Sequence, residues 1–109
     1  MPGKFEIKTA SNGKFFFNLK AANGEVILTS QQYKDVAYAK KGIASVQANA
    51  ADEANFEVKP AKNGEQYFVL KAGNQQVIGK SETYPSEAAL KKGIASVQKN
   101  APDATIVEA

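Results

Sequence analysis

Few side chains in this 109-residue sequence have the chemistry of a catalytic group. The chain contains no histidine and no cysteine, which excludes disulfides, zinc sites built from those residues and nucleophiles activated by histidine. General acid–base chemistry would need a carboxylate, lysine or tyrosine whose pKa is strongly shifted. The recurring carboxylates do not pair locally as a catalytic dyad or a metal cage requires. We therefore predict no catalytic residues, no metal and no cofactor, and a protein that is not an enzyme.

Lysines and aromatic residues that alternate along predicted strands are the best candidates for a binding surface. Alternation directs one set of these side chains to a single face of the sheet. The candidate face consists of Phe16, Lys20, Tyr67, Lys71, Lys8 and Lys59. Aromatic rings next to positive charge on an open sheet can stack bases and hold phosphates. The net charge of +3 permits an anionic partner.

Other interpretations fit the same face. Glu6 and Glu57 point the same way as the lysines and weaken the positive field. An exposed apolar and aromatic patch also suits self-association. Aromatic cross-strand pairs can instead stabilise a sheet without any partner. The sequence leaves nucleic-acid or anion binding, self-association and a purely structural role open.

These candidates occur in pairs because the chain is an internal duplication. A shift of 51 residues aligns 4–54 with 55–105 without a gap, and such a period has to be recognised before a fold is assigned. The chain ends just after the start of a third copy, and this closing strand covers 105–108. We predict a single domain, 1–109, that consists of two repeats and the closing strand.

Each repeat predicts three strands followed by one helix. Residues 5–8 alternate apolar and polar as a half-buried strand does, and Asn23-Gly24 is a strong hairpin signal. The stretch from about Asp35 to Asn49 carries apolar residues at helical spacing. One such unit has only a marginal core, so two units are expected to share it. We predict an α+β fold of tandem β(3)-α-β repeats with a single mainly antiparallel sheet, two helices on one face and exchanged C-terminal strands.

The block Gly-Ile-Ala-Ser-Val-Gln-x-Asn-Ala occurs at Gly42–Ala50 and again at Gly93–Ala101. It is the most specific element of a resemblance, over both repeats, to the YegP-like family of uncharacterised bacterial proteins. The opening strand and the pattern Asn-Gly-x-x-x-Phe-x-Leu-Lys-Ala support it, although Ser30–Tyr33 departs from the family pattern by a Glu-to-Gln change. The resemblance implies the same tandem fold, or a dimer of single repeats, with exchanged C-terminal strands. It implies no activity and no binding residues.

The repeated helix block has a structural interpretation and a functional one. Glycine in a helix interior costs about 1 kcal/mol relative to alanine, so its repetition needs a reason. A missing side chain would let the helices or the sheet approach closely, and we favour this role over close approach of a ligand. The residues assigned to this structural signature are Gly42, Ile43, Val46, Gly93, Ile94 and Val97. Tyr33 and Tyr84, which precede the helices, are expected to pack as hydrophobic staples.

The predicted function is accordingly modest. The chain has neither an apolar run long enough for a membrane span nor an N-terminal apolar core typical of a signal peptide, which predicts a cytoplasmic protein without a membrane partner. We predict a small non-catalytic binding or interaction module of unknown role. The alternative is a weak nucleic-acid or anion binder that uses the open sheet face.

Overall fold

The computed structural model describes residues 3–108. Each half contributes three strands and a helix, and a seventh strand closes the chain. The first half comprises β1 (Lys4–Thr9), β2 (Phe15–Lys20), β3 (Val26–Thr29) and α1 (Val36–Asn49). A 3-10 turn (Glu53–Asn55) leads into the second half, which comprises β4 (Phe56–Pro60), β5 (Gln66–Lys71), β6 (Val77–Lys80), α2 (Glu87–Asn100) and then β7 (Thr105–Glu108).

The seven strands form one sheet in the order β4-β5-β6-β3-β2-β1-β7. The halves meet where Thr29 of β3 pairs with Lys80 of β6. Each strand that follows a helix pairs with a strand of the other repeat: β4, which follows α1 of the first repeat, pairs with β5, and β7, which follows α2 of the second, pairs with β1. The β1–β7 pair is parallel, and the other pairs among the described residues are antiparallel. The predicted α+β fold with exchanged strands is confirmed.

Helix starts are defined by capping side chains. The Asp35 side chain accepts a hydrogen bond from the amide of Tyr38 at 2.8 Å, and the Ser86 side chain accepts one from the amide of Ala89 at 3.1 Å. Both caps satisfy amides that have no partner within the helix. The two 14-residue helices cover one face of the sheet. Within residues 3–108, neither helix is apolar and long enough to cross a bilayer.

The core lies between the helices and that face. Its largest fully buried side chains come from both repeats: Phe5, Phe17, Leu19, Leu28, Ile43, Val46, Phe68, Leu70, Leu90 and Val97. Edge-to-face aromatic pairs join Phe5 to Phe17 and Phe56 to Phe68. Because neither half has enough apolar surface alone, the shared sheet lets the two repeats bury one continuous core.

The helix glycines make room for a tyrosine. A Cβ atom on Gly42 would overlap the Tyr33 hydroxyl and would lie 3.1 Å from Phe17. The Tyr33 ring stacks on Phe17 with centroids 6.1 Å apart, so it fills the space between α1 and the sheet. Gly93, Tyr84 and Phe68 repeat this arrangement. The close neighbour of the glycine is thus an aromatic side chain.

The staple assignment for these tyrosines was wrong. A hydrophobic staple joins the residue before the N-cap to the fourth helical residue. The N-cap of α1 is Asp35, so Tyr33 lies one position too early, and its ring reaches Gly42 in the second turn of the helix. Its partner in the sheet is Phe15, with which it forms an isolated backbone bridge.

A buried serine completes the connection between sheet and helix in each half. The Ser30 hydroxyl accepts a hydrogen bond from the Phe17 amide at 2.9 Å and donates one to the Gln31 carbonyl at 2.7 Å. Ser81 makes the same two bonds in the second half. At the ends of β3 and β6, a serine hydroxyl thus accepts the amide hydrogen bond that a strand carbonyl would otherwise accept.

Replacing Ser30 by alanine should lower the free energy of unfolding by about 1–3 kcal/mol, since the buried Phe17 amide would lose its acceptor. Urea denaturation followed by circular dichroism would measure the change. The matched control is Ser11→Ala, at an exposed serine, which should change stability by less than about 0.5 kcal/mol. Equal stability of the two variants would contradict this role of Ser30.

Candidate functional site

The six side chains of the predicted binding face all lie on the face of the sheet opposite the helices. Phe17 and Phe68 contact the helix glycines, so strand alternation turns the neighbouring Phe16 and Tyr67 the other way. Both rings are half-buried. The lysines of this face also lie on β1, β2, β4 and β5: Lys8, Lys20, Lys59 and Lys71.

The structure separates these six side chains into two clusters. Lys8 is the register partner of Phe16, and Lys59 is the register partner of Tyr67. Strands β6 and β3 lie between β5 and β2, which places the two aromatic strands about 14 Å apart. Because β2 and β5 run in opposite directions, Phe16 and Tyr67 also lie on opposite sides of the sheet centre. The two rings therefore do not form one continuous stacking platform.

A central row of side chains crosses the sheet between the two clusters. Register pairing aligns Glu57, Val69, Lys80, Thr29, Asn18, Glu6 and Val107. Val69 and Asn18 are buried in spite of facing away from the helices. Lys80 lies over the Tyr67 ring, 4.8 Å from its centroid, so the second cluster combines an aromatic face with a cation.

Ion pairs neutralise part of the positive charge. The Glu6 carboxylate lies 3.0 Å from the Lys20 ammonium and 3.5 Å from that of Lys8. Glu57 is flanked by the two equivalent lysines of the second half. The glutamates thus weaken the field, as the sequence indicates. Among residues 3–108, no three acidic side chains gather in an arrangement suited to a metal ion.

The same ion pairs make stability depend on pH. A hydrogen bond from Lys20 is the largest influence that lowers the pKa of Glu6, and one from Lys71 acts likewise on the pKa of Glu57. A carboxyl with a lowered pKa stabilises the fold above its unfolded pKa of about 4.3, and this contribution is lost as the pH falls through the lowered value.

We expect the double variant Glu6→Gln, Glu57→Gln to lose less stability than the unaltered chain between about pH 5 and pH 3. Urea midpoints measured across this range would test it. The control Glu82→Gln changes an exposed carboxyl and should leave the acid dependence in place. Identical pH profiles for the double variant and the unaltered chain would contradict the assignment.

A second candidate surface, which the sequence did not indicate, lies at the β4 edge of the sheet. In the first half β7 pairs with β1, and Phe5, Ile7 and Ile43 are 0%, 2% and 0% exposed. In the second half, β4 is the edge strand of the sheet formed by the described residues. Val58, the equivalent of Ile7, is 48% exposed, and Phe56 and Ile94 are partly exposed.

This exposed region is a groove between α2 and the edge of β4, which we call the β4 groove. It encloses about 350 Å³. Its apolar surface comes from Phe56, Val58, Leu90 and Ile94, and Glu87 and Lys91 contribute charges. The groove occupies the position, relative to the second half, that β7 fills relative to the first.

Within the part of the chain that the structure describes, backbone groups on the outer side of β4 have no neighbouring strand to bond with. The Ala61 amide donates to the Glu65 carbonyl at 2.8 Å, and antiparallel alternation then directs the backbone of Lys59 and Glu57 toward β5. The carbonyls of Phe56 and Val58 and the amide of Val58 therefore point outward, whereas the Phe56 amide already donates to the Glu53 carbonyl. Pro60 has no amide hydrogen, so it limits the length of this edge.

Fold and edges together define a class of protein, a duplicated α+β domain whose halves exchange the strands that follow their helices. The chain belongs to the family described as a domain of unknown function, DUF1508, whose model matches residues 10–57 and 61–108. The two matches have the same offset as the internal repeat. The predicted resemblance to YegP-like proteins is confirmed by the relatives of the chain.

Several bacterial proteins are similar over nearly the whole length. A UPF0339 protein of Pasteurella multocida is 57% identical over 104 residues, which are 95% of this chain and 91% of the relative. YegP of Yersinia pestis is 57% identical over 98 residues, covering 90% and 88% of the two chains. The solution NMR structure of yegP from E. coli, a protein of unknown function, is 46% identical and superposes with a TM-score of 0.92 over 99% of this chain and 93% of that one. These names state no reaction, substrate or partner.

Proposed function

We propose that this protein is a non-catalytic cytoplasmic interaction module that binds a partner protein through the β4 groove. The observation that supports the proposal is the difference between the two halves. Equivalent apolar side chains are buried under β7 in the first half and exposed in the second. An uncovered strand edge beside an apolar groove is a template for strand addition.

The distribution of titratable groups supports a non-catalytic role. The carboxyls with lowered pKa, Glu6 and Glu57, lie between lysines on a broad sheet face. Burial raises the pKa of Tyr33 and Tyr84, and both rings stack on core phenylalanines. In active sites, shifted groups typically converge in a cleft where substrate can reach them.

Selection of short peptides from a random display library on the immobilised chain would test the proposal. The variant Val58→Asp places a charge in the groove and should abolish enrichment. Its matched control is Val77→Asp on β6, because Val77 is also an exposed strand valine, at 40% against 48% for Val58, but lies away from the groove. Enrichment that survives Val58→Asp, or fails with the unaltered chain, would contradict binding at the groove.

A second candidate function is weak binding of nucleic acid or another anion on the lysine-rich face. Lysines outnumber glutamates among the strand side chains of this face, and Lys80 over Tyr67 provides an aromatic and cationic pair. Fluorescence anisotropy with labelled single-stranded DNA should then show affinity that falls steeply between about 50 and 200 mM salt. The double variant Phe16→Ala, Tyr67→Ala should lose it. Absence of binding at low salt would end this alternative.

Self-association is a competing use of the exposed surfaces. Light scattering at micromolar concentration would show a dimer if either the lysine-rich face or the β4 edge joins two copies. A strict monomer would remove this possibility and would leave the groove free for another protein.

A further inference from the structure

We infer that the β4 groove takes an extended peptide, parallel to β4, that carries a branched apolar residue and a carboxylate two positions later. This inference rests on the proposed function, because it specifies the partner of the same groove. The template for the bound peptide is already present in the chain, since β7 occupies the equivalent position beside β1.

The register of β7 defines the side chains that such a peptide presents. Ile106 pairs with Phe5, and Glu108 pairs with Ile7. Laterally paired residues project to the same face of a sheet, so Ile106 and Glu108 project toward the helices, as Phe5 and Ile7 do. Val107 projects to the opposite face beside Glu6. In a peptide bound the same way, only the residues equivalent to Ile106 and Glu108 would therefore contact the groove.

A lysine of the helix recognises the carboxylate. The Glu108 carboxylate lies 3.2 Å from the ammonium group of Lys40 on α1. The equivalent lysine on α2 is Lys91, which lines the β4 groove. Lys91 instead contacts Glu87 of its own helix at 3.4 Å, and both side chains are more than 70% exposed. Exposed pairs of this kind contribute little, so a peptide carboxylate can replace Glu87.

The apolar part of the groove selects for size. Two of its residues, Phe56 and Ile94, are equivalent to Phe5 and Ile43 of the first half. A third, Leu90, replaces the smaller Ala39. The larger leucine narrows the space next to the helix. A branched side chain such as isoleucine or valine therefore fits better beside Phe56 than an aromatic ring, and its binding would cover exposed apolar surface.

The bound segment is short and has a defined direction. The amide of Thr105 donates to the Gly3 carbonyl, 3.4 Å away, where β7 begins. The equivalent carbonyl in the second half belongs to Ala54, and Pro60 prevents the ladder from extending much beyond Val58. Parallel pairing places the carboxylate at the Val58 level, within reach of Lys91. An antiparallel peptide would reverse the order of its apolar and acidic residues.

The favoured occupant is a segment of another protein and not β7 of a second copy. For β7 to dock in trans it must leave β1, which would expose Phe5 and Ile7 in its own chain. The exchange would cover one groove and open an equivalent one. A peptide from another protein covers the groove without that loss.

A synthetic peptide with the sequence of residues 102–109 is the probe for this inference. Added to the full ¹⁵N-labelled chain, it should shift the amide resonances of Phe56 and Val58. The variant Lys91→Glu should weaken binding about tenfold, whereas Lys92→Glu, a change at the neighbouring exposed lysine, should not. A peptide whose glutamate is replaced by lysine should bind the Lys91→Glu chain well and the unaltered chain poorly.

Several results would overturn the inference. These are shifts centred on Phe5 and Ile7, equal effects of Lys91→Glu and Lys92→Glu, or a dimer that closes the β4 groove. Failure of this inference can be distinguished from failure of the proposed function. Peptides from the library selection that depend on Val58 but lack the apolar–acidic spacing would support the proposed interaction module and contradict the inferred specificity. If no selected peptide depends on Val58, the proposed function and this inference are both wrong.

Discussion

Removal of β7 is expected to lower the free energy of unfolding by about 2–4 kcal/mol. A stop codon in place of Thr105 would delete the strand. The side chains of Phe5, Ile7 and Ile43, which are almost fully buried, would then become as exposed as their counterparts beside β4. The parallel ladder along β1 would be lost as well.

Urea denaturation would measure this loss, and a conservative change at the same strand provides the control. Glu108→Gln removes only the exposed pair with Lys40 and should cost less than about 1 kcal/mol. The peptide with the sequence of residues 102–109 should restore part of the stability of the truncated chain, because ligand that binds only the folded state stabilises it. An unchanged urea midpoint after truncation would show that β7 does not protect the first half.

The second large effect is expected from the helix glycines. The double variant Gly42→Ala, Gly93→Ala should lose about 2–4 kcal/mol of stability, although alanine is the better helix former by about 1 kcal/mol per site. Each new methyl group would overlap a tyrosine ring, so Tyr33 and Tyr84 would have to leave their stacked positions. The effects should add because the two sites have separate neighbours.

Two further variants make the glycine prediction specific. Gly73→Ala is the control, since a Cβ atom there meets nothing within 4 Å, and stability should stay the same or rise slightly. Tyr33→Phe removes the hydroxyl nearest to the new methyl group and should reduce the loss caused by Gly42→Ala. Alanine variants as stable as the unaltered chain would mean that the tyrosines do not require the glycines.

The fold could be predicted from the sequence because its helices and strands are indicated by local patterns that do not depend on tertiary contacts. Apolar residues at helical spacing predicted α1 and α2, and alternation together with turn pairs predicted the strands. The less regular turn of the second repeat also forms. Gln75 adopts a φ of 71° where Gly24 has 86° in the first repeat, so a non-glycine residue takes the left-handed conformation that the hairpin requires.

The β4 groove could not be predicted from the same patterns. Phe5 and Phe56, like Ile43 and Ile94, are identical in the two repeats. Their burial differs because β7 covers one set, and that depends on the strand order. Strand order likewise separates Phe16 from Tyr67, since β3 and β6 lie between their strands. Spacing along the chain carries no information about either distance.

Amide hydrogen exchange at equivalent positions tests most directly whether one strand site is filled and the other is free. Parallel pairing with β7 occupies the outward amide of Ile7, whereas the equivalent amide of Val58 has no neighbouring strand within residues 3–108. We predict slow exchange at Ile7 and fast exchange at Val58, with Val58 becoming slow when the peptide of residues 102–109 is added. Equal protection of Ile7 and Val58 in the free protein would contradict a vacant strand site beside β4.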